Sequence, residues 1–225
     1  MDTPTTGRGL FIAFEGGEGG GKSTQSSRLA QRLRDIGHKV TLTREPGGTT
    51  LGGQLRELLL HGEHVDPRAE ALMFAADRAQ HCATLIEPAL ADGHAVITDR
   101  FMDSSIAYQH AGRGLAVGTI RSLSMFASDQ LVPDLTIVLD VDPSTAAARK
   151  ATDRPDRMES AGEAFHAAVR ACFLDLAASE PDRYLVLDAG MGRCSIHDEI
   201  WAAVQARLAD RGTGIPMRGW LDSAG

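Results

Sequence analysis

The sequence predicts a three-layer α/β/α fold in which helices cover both faces of a five-stranded parallel sheet. Three observations lead to this prediction: short apolar runs alternate with segments of helical periodicity, a glycine-rich motif follows the first run, and charged motifs fall where several other runs end. Continuous apolar runs are typical of strands buried on both faces, and helical connections make such strands parallel. The predicted strands are Leu10–Phe14, His38–Thr43, Ala95–Thr98, Leu135–Val141 and Tyr184–Leu187.

Segments with apolar residues at helical spacing occupy the stretches between these strands. In the first of them, Leu29, Leu33 and Ile36 share one helix face, and Gly37 ends the helix. A bend is expected near Pro88, because proline lacks the N–H group that a regular helix needs. The predicted helices are Lys22–Ile36, Leu51–Leu60, Pro67–Ala91, Ser104–His110, Val117–Ser128, Ser144–Lys150, Glu163–Ala178 and Ile196–Ala209.

Length and composition fit one globular domain with a sizeable core. The chain has 225 residues, 43% of them hydrophobic, and we expect one domain at 9–211 with flexible tails at 1–8 and 212–225. The 23 Lys and Arg against 30 Asp and Glu give a net charge of −7, which argues against a nucleic-acid partner. Three scattered cysteines, with no apolar signal or membrane-spanning run, favour a reduced cytoplasmic protein without a membrane partner.

A glycine-rich motif, G-G-E-G-G-G-K-S at residues 16–23, follows the first predicted strand and opens the first predicted helix. It fits the phosphate-loop pattern G-x-x-x-x-G-K-[ST], in which backbone N–H groups and the lysine face phosphate oxygens and the hydroxyl faces Mg²⁺. A flexible surface turn is the plain alternative, which the strand–loop–helix context disfavours. The predicted ATP-binding residues are Gly16, Gly17, Glu18, Gly19, Gly20, Gly21, Lys22, Ser23 and Thr24.

Five further segments lie where a second substrate would meet this loop. In chain order they begin at Thr43 (T-R-E-P-G-G-T), Leu72 (L-M-F-A-A-D-R), Asp99 (D-R-F), Ser105 (S-I-A-Y-Q) and Asp156 (D-R-M-E). With F-E-G opening the phosphate loop, this series resembles the thymidylate kinase family over nearly the whole chain. The loop alone would indicate only a nucleotide-binding protein, whereas T-R-E-P-G-G-T, D-R-F and A-Y-Q together are far more specific.

The resemblance implies a P-loop NTPase fold of the nucleoside monophosphate kinase type. It also implies transfer of the γ-phosphoryl group of ATP to dTMP, Mg²⁺ as cofactor, and a homodimer. Ile120, Leu123 and Phe126 could form the dimer interface or could be plain core. Two other functions stay open: a kinase for another monophosphate or a deoxynucleoside, and a nucleotide-dependent switch, although a switch needs no second nucleotide pocket.

The first residues expected to bind the acceptor nucleotide come from two places. One follows the second strand, and two lie on the third predicted helix. Arg44 precedes a Pro-Gly-Gly turn, where a guanidinium group either clamps a phosphate or is simply solvated. Phe74 and Arg78, four residues apart, are either a core ring with a snorkelling cation or a pair that stacks on a base and binds its edge. By resemblance, Arg44 holds the phosphate of dTMP, Phe74 stacks on thymine and Arg78 binds its carbonyl edge.

The remaining acceptor residues lie at 99–109. Asp99 and Arg100 end the third strand, where they could hold Mg²⁺ and the reacting phosphates or form a surface ion pair. By resemblance, Arg100 is a catalytic residue and Ser105 contacts the thymine edge. The resemblance also places Tyr108 on the sugar, where it disfavours a 2′-hydroxyl, and Gln109 near the base or sugar. Tyr108 could equally be a half-buried structural side chain.

A polar segment at about 149–160 separates two predicted helices and fits either a mobile lid over ATP or a solvated loop. The phosphate loop has no basic residue before Lys22, so the resemblance implies the bacterial type in which the lid supplies a basic catalytic group. Arg149, Arg154 or Arg157 is expected to reach the transferred phosphate, and the predicted catalytic residues are these three lid candidates with Lys22 and Arg100.

Glu18 is a carboxylate inside an anion-binding loop, which is unfavourable unless a cation lies beside it. By resemblance, it lies near the sugar 3′-hydroxyl and Mg²⁺. The predicted metal ligands are therefore Ser23, Asp99 and Glu18. The predicted dTMP-binding residues are Glu18, Arg44, Phe74, Arg78, Arg100, Ser105, Tyr108 and Gln109.

Overall fold

The structure, a computed structural model, describes residues 7–142, 145, 146, 149, 157, 158 and 160–211. Residues 1–6, the tail at 212–225, and most of the predicted helix at 144–150 and of the predicted lid lie outside the described residues. The predicted five-stranded parallel sheet is confirmed, with the strand order β2-β3-β1-β4-β5. Its strands are β1 (Phe11–Glu15), β2 (Val40–Arg44), β3 (Ala95–Asp99), β4 (Leu135–Asp140) and β5 (Tyr184–Asp188).

Every strand ends at a charged residue on the same edge of the sheet. Four of them run one residue beyond the predicted end, because the ladder of backbone hydrogen bonds does not depend on side-chain polarity. Arg44 of β2 and Phe14 of β1 both lie opposite Asp99 of β3. Parallel strands thus collect these charges at their carboxyl ends, where ligand sites of such sheets form.

The connecting segments are mostly helical. They are α1 (Lys22–Asp35), α2 (Thr50–His61), α3 (Pro67–His81), α4 (Glu87–Ala91), α5 (Met102–Ser105), α6 (Val117–Ala127), α7 (Glu163–Ser179) and α8 (Arg193–Asp210). Within the described ranges, no helix is both long and apolar enough to cross a membrane.

Two stretches depart from regular helix. The helix predicted at 67–91 is interrupted by a π-helical segment, Cys82–Ile86, immediately before the turn that contains Pro88. The proline ring would crowd a carbonyl group of the preceding turn in a regular α-helix, and the wider turn accommodates it. A second π-helical segment, Ile106–Gly112, replaces most of the helix predicted at 104–110. π-Helical turns often occur at functional sites, and this one borders the cavity described below.

Apolar layers hold the helices against both faces of the sheet. On one face, Leu29 and Leu33 of α1 and Val204 of α8 pack in one cluster with Ile12 and Phe14 of the central strand. Each such fully buried side chain contributes about 1.5–3 kcal/mol relative to an exposed one. The opposite face is covered by α3, α6, α7 and the second π-helical segment. This packing fixes the carboxyl edge of the sheet as a rigid base for the site.

Glu15, the last residue of β1, is a fully buried carboxylate that connects the sheet to the segment after β3. Its Oε1 atom accepts the N–H groups of Phe101 (2.9 Å) and Ser104 (3.1 Å), and its Oε2 atom accepts the Ser104 hydroxyl (2.6 Å). Burial, and after it the charge of Asp103, raise the pKa of Glu15 to about 7, while the hydrogen bond from Ser104 opposes the shift. Glu15 thereby sets the position of the chain that carries Arg100.

The substitution Glu15→Gln is expected to change how stability depends on pH. The folded chain keeps this proton up to about pH 7, whereas the unfolded chain releases it near the ordinary pKa of 4.5. Through this group alone, wild-type stability therefore falls by about 3 kcal/mol as the pH rises through that interval. The Gln variant lacks this contribution. Denaturant unfolding of both proteins between about pH 4 and pH 8 measures the difference, and parallel curves would contradict the raised pKa.

Gly52 and Gly53, neighbours in α2, are expected to respond oppositely to alanine. A Cβ atom on Gly52 would lie 2.2 Å from Oδ1 of buried Asp77, which also accepts the N–H group of Gly47. Gly52→Ala should lower the free energy of unfolding by about 1–3 kcal/mol. A Cβ atom on Gly53 meets nothing within 4 Å. Gly53→Ala should raise that free energy by about 0.5–1 kcal/mol, since alanine loses less backbone entropy. Urea unfolding compares the two, and equal effects would refute this packing of α2 on α3.

Candidate active site

A cavity of about 370 Å³ opens at the carboxyl ends of β1, β2 and β3, between the phosphate loop and helices α2, α3 and α5. It brings the loop together with every predicted acceptor residue. The predicted site residues on its wall are Glu18, Gly19, Gly21, Lys22, Ser23, Thr24, Arg44, Phe74, Arg78, Asp99, Arg100, Ser105, Tyr108 and Gln109. The other loop glycines, Gly16, Gly17 and Gly20, are not part of this wall.

The phosphate loop occupies the turn between β1 and α1, and its path requires glycine. Gly16 (φ 119°), Gly19 (φ 72°) and Gly21 (φ 89°) adopt left-handed conformations that other residues avoid. A Cβ atom on Gly16 would lie 2.4 Å from the carbonyl oxygen of Leu139, so no larger residue fits there. Gly21 is the N-cap of α1, which brings the free N–H groups of the first helical turn to the loop.

Lys22 begins α1, and its ammonium group folds back into the loop. The Nζ atom donates to the carbonyl oxygens of Gly16 (3.1 Å) and Gly17 (2.8 Å). Burial, followed by the charge of Arg100, lowers the pKa of Lys22. A phosphate group at the loop would favour the charged ammonium, so anion binding offsets this cost.

Arg100 lies between the loop and the acceptor side of the cavity, and its backbone is left-handed (φ 71°), which is uncommon for a residue other than glycine. Its Nη1 atom donates to the Gly16 carbonyl (3.2 Å) and the Ser104 hydroxyl (3.0 Å). Its Nη2 atom donates to the Tyr108 hydroxyl (3.1 Å) and to the carboxylate of Glu18. Arg100 therefore connects the phosphate loop directly to the acceptor wall.

Ser23 and Asp99 place two oxygen atoms at one end of the loop. The Ser23 hydroxyl donates to Oδ2 of Asp99 over 2.5 Å, so the motif hydroxyl meets the carboxylate that ends β3. Such oxygen donors suit Mg²⁺, which usually keeps several waters and phosphate oxygens beside one or two protein ligands. This pair therefore fits a nucleotide-bound Mg²⁺. Glu18, the third predicted ligand, pairs with Arg100 in this structure.

Two further cations line the cavity near the end of β2. Arg44 is exposed, and its side chain makes no hydrogen bond or ion pair with any described residue. Arg56 of α2 donates from Nη1 to the carbonyl oxygen of Pro46 (3.0 Å). Sequence reasoning missed Arg56, because it belongs to no motif and only the packing of α2 brings it to the wall. Both guanidinium groups are placed to bind an acceptor phosphate.

Phe74 and Arg78 share one wall of the cavity, as their helical spacing predicts. Arg78 does not snorkel to solvent: its side chain is 2% exposed, and its Nη2 atom donates to the Ser105 hydroxyl (3.0 Å). Phe74 is half-buried, with the core on one side and the cavity on the other. The three side chains form a surface of suitable size and polarity for a planar base.

The second π-helical segment carries Tyr108 and Gln109. The Tyr108 ring packs edge-on against Phe165, with centroids 5.9 Å apart, while its hydroxyl accepts a hydrogen bond from Arg100. Burial raises the pKa of Tyr108, so the hydroxyl stays neutral. Gln109 is buried and donates from Nε2 to Oε1 of Glu70 (3.0 Å). Tyr108 is thus part of both the core and the cavity wall.

Glu70, in the first turn of α3, is a fully buried carboxylate that sequence reasoning did not select. It accepts hydrogen bonds from Gln109 (3.0 Å) and Arg113 (3.2 and 3.3 Å), and Arg157 Nη1 lies 2.7 Å from its Oε2 atom. An acidic residue in the first turn of a helix is ordinarily explained by its favourable interaction with the helix dipole. The sequence position of Glu70 therefore does not predict a buried hydrogen-bond network. Glu70 links α3, the π-helical segment and the end of the predicted lid, where Met158 lines the cavity.

The three predicted lid arginines are placed differently. Arg149 donates from Nη1 to the carbonyl oxygen of Gly19 (3.0 Å) and from Nη2 to that of Ala189 (2.8 Å). Arg157 is held in the ion pair just described, on the acceptor side. Arg154 lies outside the described residues.

Comparison with known proteins identifies the family. The family model described as thymidylate kinase matches residues 14–200. A thymidylate kinase of Leifsonia xyli subsp. xyli is 51% identical over 94% of this chain and 100% of its own length. One from Bifidobacterium longum subsp. infantis is 53% identical over 89% of this chain and 86% of its own. The crystal structure of thymidylate kinase from Ehrlichia chaffeensis matches with a TM-score of 0.73 and 36% identity, covering 88% of this chain and 99% of that one. With its P-loop fold of the nucleoside monophosphate kinase type, the chain belongs to the thymidylate kinase family.

Proposed function

We propose that the protein transfers the γ-phosphoryl group of ATP to dTMP, forming dTDP and ADP, in the supply of nucleotides for DNA synthesis. One observation carries the proposal: a single cavity joins a phosphate loop to a separate wall suited to a pyrimidine nucleotide. Arg100 contacts both parts, through Gly16 of the loop and Tyr108 of the wall. Membership of the family supports the same activity.

Transfer proceeds directly between the two nucleotides, without a covalent enzyme intermediate. An oxygen of the dTMP phosphate attacks the γ-phosphorus, the bond from this phosphorus to the β–γ bridging oxygen breaks, and ADP leaves with the electron pair. The acceptor phosphate is already a nucleophile, so the protein aligns the two substrates and opposes their negative charge. Lys22 and Arg100 supply the opposing positive charge at the transferred group. Arg44 clamps the acceptor phosphate.

Substrate phosphates would replace the acceptors that these cations bind in this structure. Lys22 bonds two loop carbonyl oxygens, and Arg100 bonds one of them and the Glu18 carboxylate. Phosphate oxygens are stronger acceptors for a cation than carbonyl oxygens are. Once phosphate replaces Glu18 as the partner of Arg100, the Glu18 carboxylate faces the sugar 3′-hydroxyl. Mg²⁺, when bound, neutralises charge on the β- and γ-phosphates. Ser23 and Asp99 would hold it, with Glu18 as a further ligand.

We assign roles to the remaining residues of the acceptor wall from their positions in the cavity. Phe74 stacks on the base, Arg78 and Ser105 bind its edge, and Tyr108 packs on the sugar and leaves no room for a 2′-hydroxyl. Gln109 lies on the same wall, near the base or sugar, and the hydrogen bond from its Nε2 atom to buried Glu70 fixes its position.

Among the lid residues, we assign the catalytic basic group to the ATP side. Arg149 already contacts the phosphate loop through Gly19, and Arg154 remains the other candidate. Arg157 instead anchors the end of the lid on the acceptor side.

An acceptor panel tests this function. Purified protein is given Mg-ATP with dTMP, dUMP, dCMP, dAMP, dGMP or the ribose forms, and ADP release is measured. We expect turnover with dTMP and, because a methyl contact is worth about 10–200-fold, weaker turnover with dUMP. Lys22→Ala should lose on the order of 10²–10³-fold in kcat. Turnover with another monophosphate would contradict the roles of Phe74 and Arg78. ADP release that ignores every acceptor would contradict the kinase assignment.

We also propose that the protein acts as a homodimer in the cytoplasm, where its three free cysteines stay reduced. Phe126 of α6 is 81% exposed and Leu72 of α3 is 59% exposed, on helices that pack against each other. Such exposed apolar side chains favour association with a second copy. Ile120 is a core residue instead, because the spacing of Ile120 and Ser124 turns both inward, and Leu123 is half-buried.

The substitution Phe126→Lys is expected to weaken the dimer, because it places a charge in an apolar interface. Ile36→Lys is the matched control, since Ile36 is also exposed but lies at the end of α1. Light scattering after size exclusion should give a dimer for the wild type and the control, and a larger monomer fraction for Phe126→Lys. A monomeric wild type would refute the proposed assembly.

A further inference from the structure

A buried ion pair between Glu45 and Arg78 lies behind the part of the cavity assigned to the base. The Nε atom of Arg78 lies 3.0 Å from Oε2 of Glu45, and its Nη2 atom lies 2.9 Å from the same oxygen. The side chains are 2% and 3% exposed, so solvent and salt screen the pair only weakly. Both residues line the cavity, so the pair belongs to the surface that a ligand meets.

Glu45 is itself held from two directions. Its backbone N–H group donates to the carbonyl oxygen of Asp99 (2.9 Å), which attaches the residue to β3. Its Oε1 atom lies 3.0 Å from Nδ1 of His81, whose Nε2 atom lies 2.7 Å from the Thr43 hydroxyl. An ionised carboxylate only accepts hydrogen bonds, so Nδ1 carries the proton between them. The sheet and α3 together therefore give this carboxylate one position.

Arg78 has a single N–H group left for a ligand. A guanidinium group has five N–H donors. Four of them are used: Nε on Glu45, one Nη1 hydrogen on Ser124 (3.2 Å), and the Nη2 hydrogens on Phe101 O (3.1 Å) and Ser105 (3.0 Å). The second hydrogen on Nη1 has no partner among the described residues. The protein thus holds the group rigidly, and Arg78, which lines the cavity, keeps one N–H donor that no described residue occupies.

We propose that Glu45 positions Arg78 and thereby determines which base the cavity accepts. This inference rests on the proposed function and names the determinant of its acceptor specificity. In the fixed orientation, the remaining N–H group meets a base edge that presents a carbonyl oxygen, as thymine and uracil do. A base that presents an amino group there, as cytosine does, places two donors against each other in a buried site.

The other partners of Arg78 cannot replace Glu45 in this role, because a carbonyl and two hydroxyl groups carry no charge. Hydrogen bonds to an ionised partner are roughly twice as strong as neutral ones. Among the described residues, Glu45 is the one carboxylate hydrogen-bonded to Arg78. Without it, the guanidinium group would gain other orientations, and its free donor would no longer be aimed at one place on the base.

Asp77 is a second buried carboxylate near Arg78, so we expect a variant of Glu45 to stay folded. This buried residue accepts the N–H group of Gly47 at Oδ1 (3.1 Å), and its Oδ2 atom has no hydrogen-bond partner in the described part of the chain. Burial, and after it the charge of Glu45, raise the pKa of Asp77 to about 6. Above that pH Asp77 is ionised with or without Glu45, so its carboxylate still offsets part of the charge of Arg78 when Glu45 is replaced.

Steady-state kinetics of Glu45→Gln test the proposal. Glu57→Gln is the matched control, because Glu57 is an exposed glutamate of α2. Each protein is assayed with Mg-ATP and with dTMP or dCMP. For Glu45→Gln we expect kcat/KM for dTMP to fall by about tenfold to a hundredfold, and the preference for dTMP over dCMP to fall by at least about tenfold. KM for ATP should stay within about twofold, and the control should match the wild type throughout.

A Glu45→Gln enzyme with the wild-type KM for dTMP and the wild-type base preference would overturn the proposal. A glutamate that only supports the fold changes thermal stability without changing base selection. Glu45→Asp keeps the charge but withdraws the carboxylate by one methylene group, and it should lose part of the preference. This variant decides the question if Glu45→Gln does not fold.

Arg78→Lys separates the inference from the base-binding role on which it rests, because lysine keeps the charge but not the planar fork. If the wild type does not prefer dTMP, or if Arg78→Lys keeps that preference, the role of Arg78 fails and the proposal fails with it. If only Glu45→Gln keeps the preference, the role of Arg78 stands and positioning by Glu45 is refuted. The double variant Glu45→Gln/Arg78→Lys completes the test. If its preference for dTMP over dCMP is no lower than that of the more impaired single variant, Glu45 acts through Arg78.

Discussion

The hydrogen bonds of Arg100 are the interaction on which the rest of the site depends. Its backbone N–H group donates to the Phe14 carbonyl (2.8 Å), and its own carbonyl accepts the Thr98 hydroxyl (2.8 Å), so β1 and β3 both determine its position. This anchoring holds the residue in a left-handed conformation that it would not adopt alone. The side chain is thereby aimed across the cavity, where it contacts the phosphate loop and the acceptor wall together. Without that backbone geometry, the two halves of the site would share no cation.

Charge compensation explains how several cations coexist around one small cavity. Among the described residues, the ion pairs Arg100–Glu18 and Arg78–Glu45 line it, and Arg157–Glu70 lies beside it. They differ in burial, since Glu18 is 28% exposed on a glycine-rich loop, whereas Glu45 and Glu70 are almost fully buried. An exposed partner on a loop can be exchanged for phosphate at small cost, while separating a buried pair costs several kcal/mol. The Arg100–Glu18 pair is therefore suited to open during turnover. The two buried pairs are suited to keep the wall of the site in a fixed conformation.

The site residues that topology alone brings together differ from those that sequence reasoning missed. Lys22, Arg44 and Asp99 follow predicted strands or stand at fixed spacing in a motif, and parallel strands bring such residues to one edge by topology alone. Arg56 and Glu70 lie within helices, and nothing local distinguishes them from solvated surface residues. Their place in the site depends on how α2 and α3 pack, which is a long-range property.

By itself, the sequence determined the three-layer parallel fold and the phosphate loop, because apolar periodicity and glycine spacing are local and act before any tertiary contact forms. Its motifs indicated the family by resemblance. Only the tertiary structure decided which charged groups are paired. The π-helical turn that carries Tyr108 and the burial of Arg78 against Glu45 arise from contacts between segments distant in the chain. The free energy of a buried ion pair depends on the loss of water around both partners, and that loss exists only after the helices have closed over the sheet.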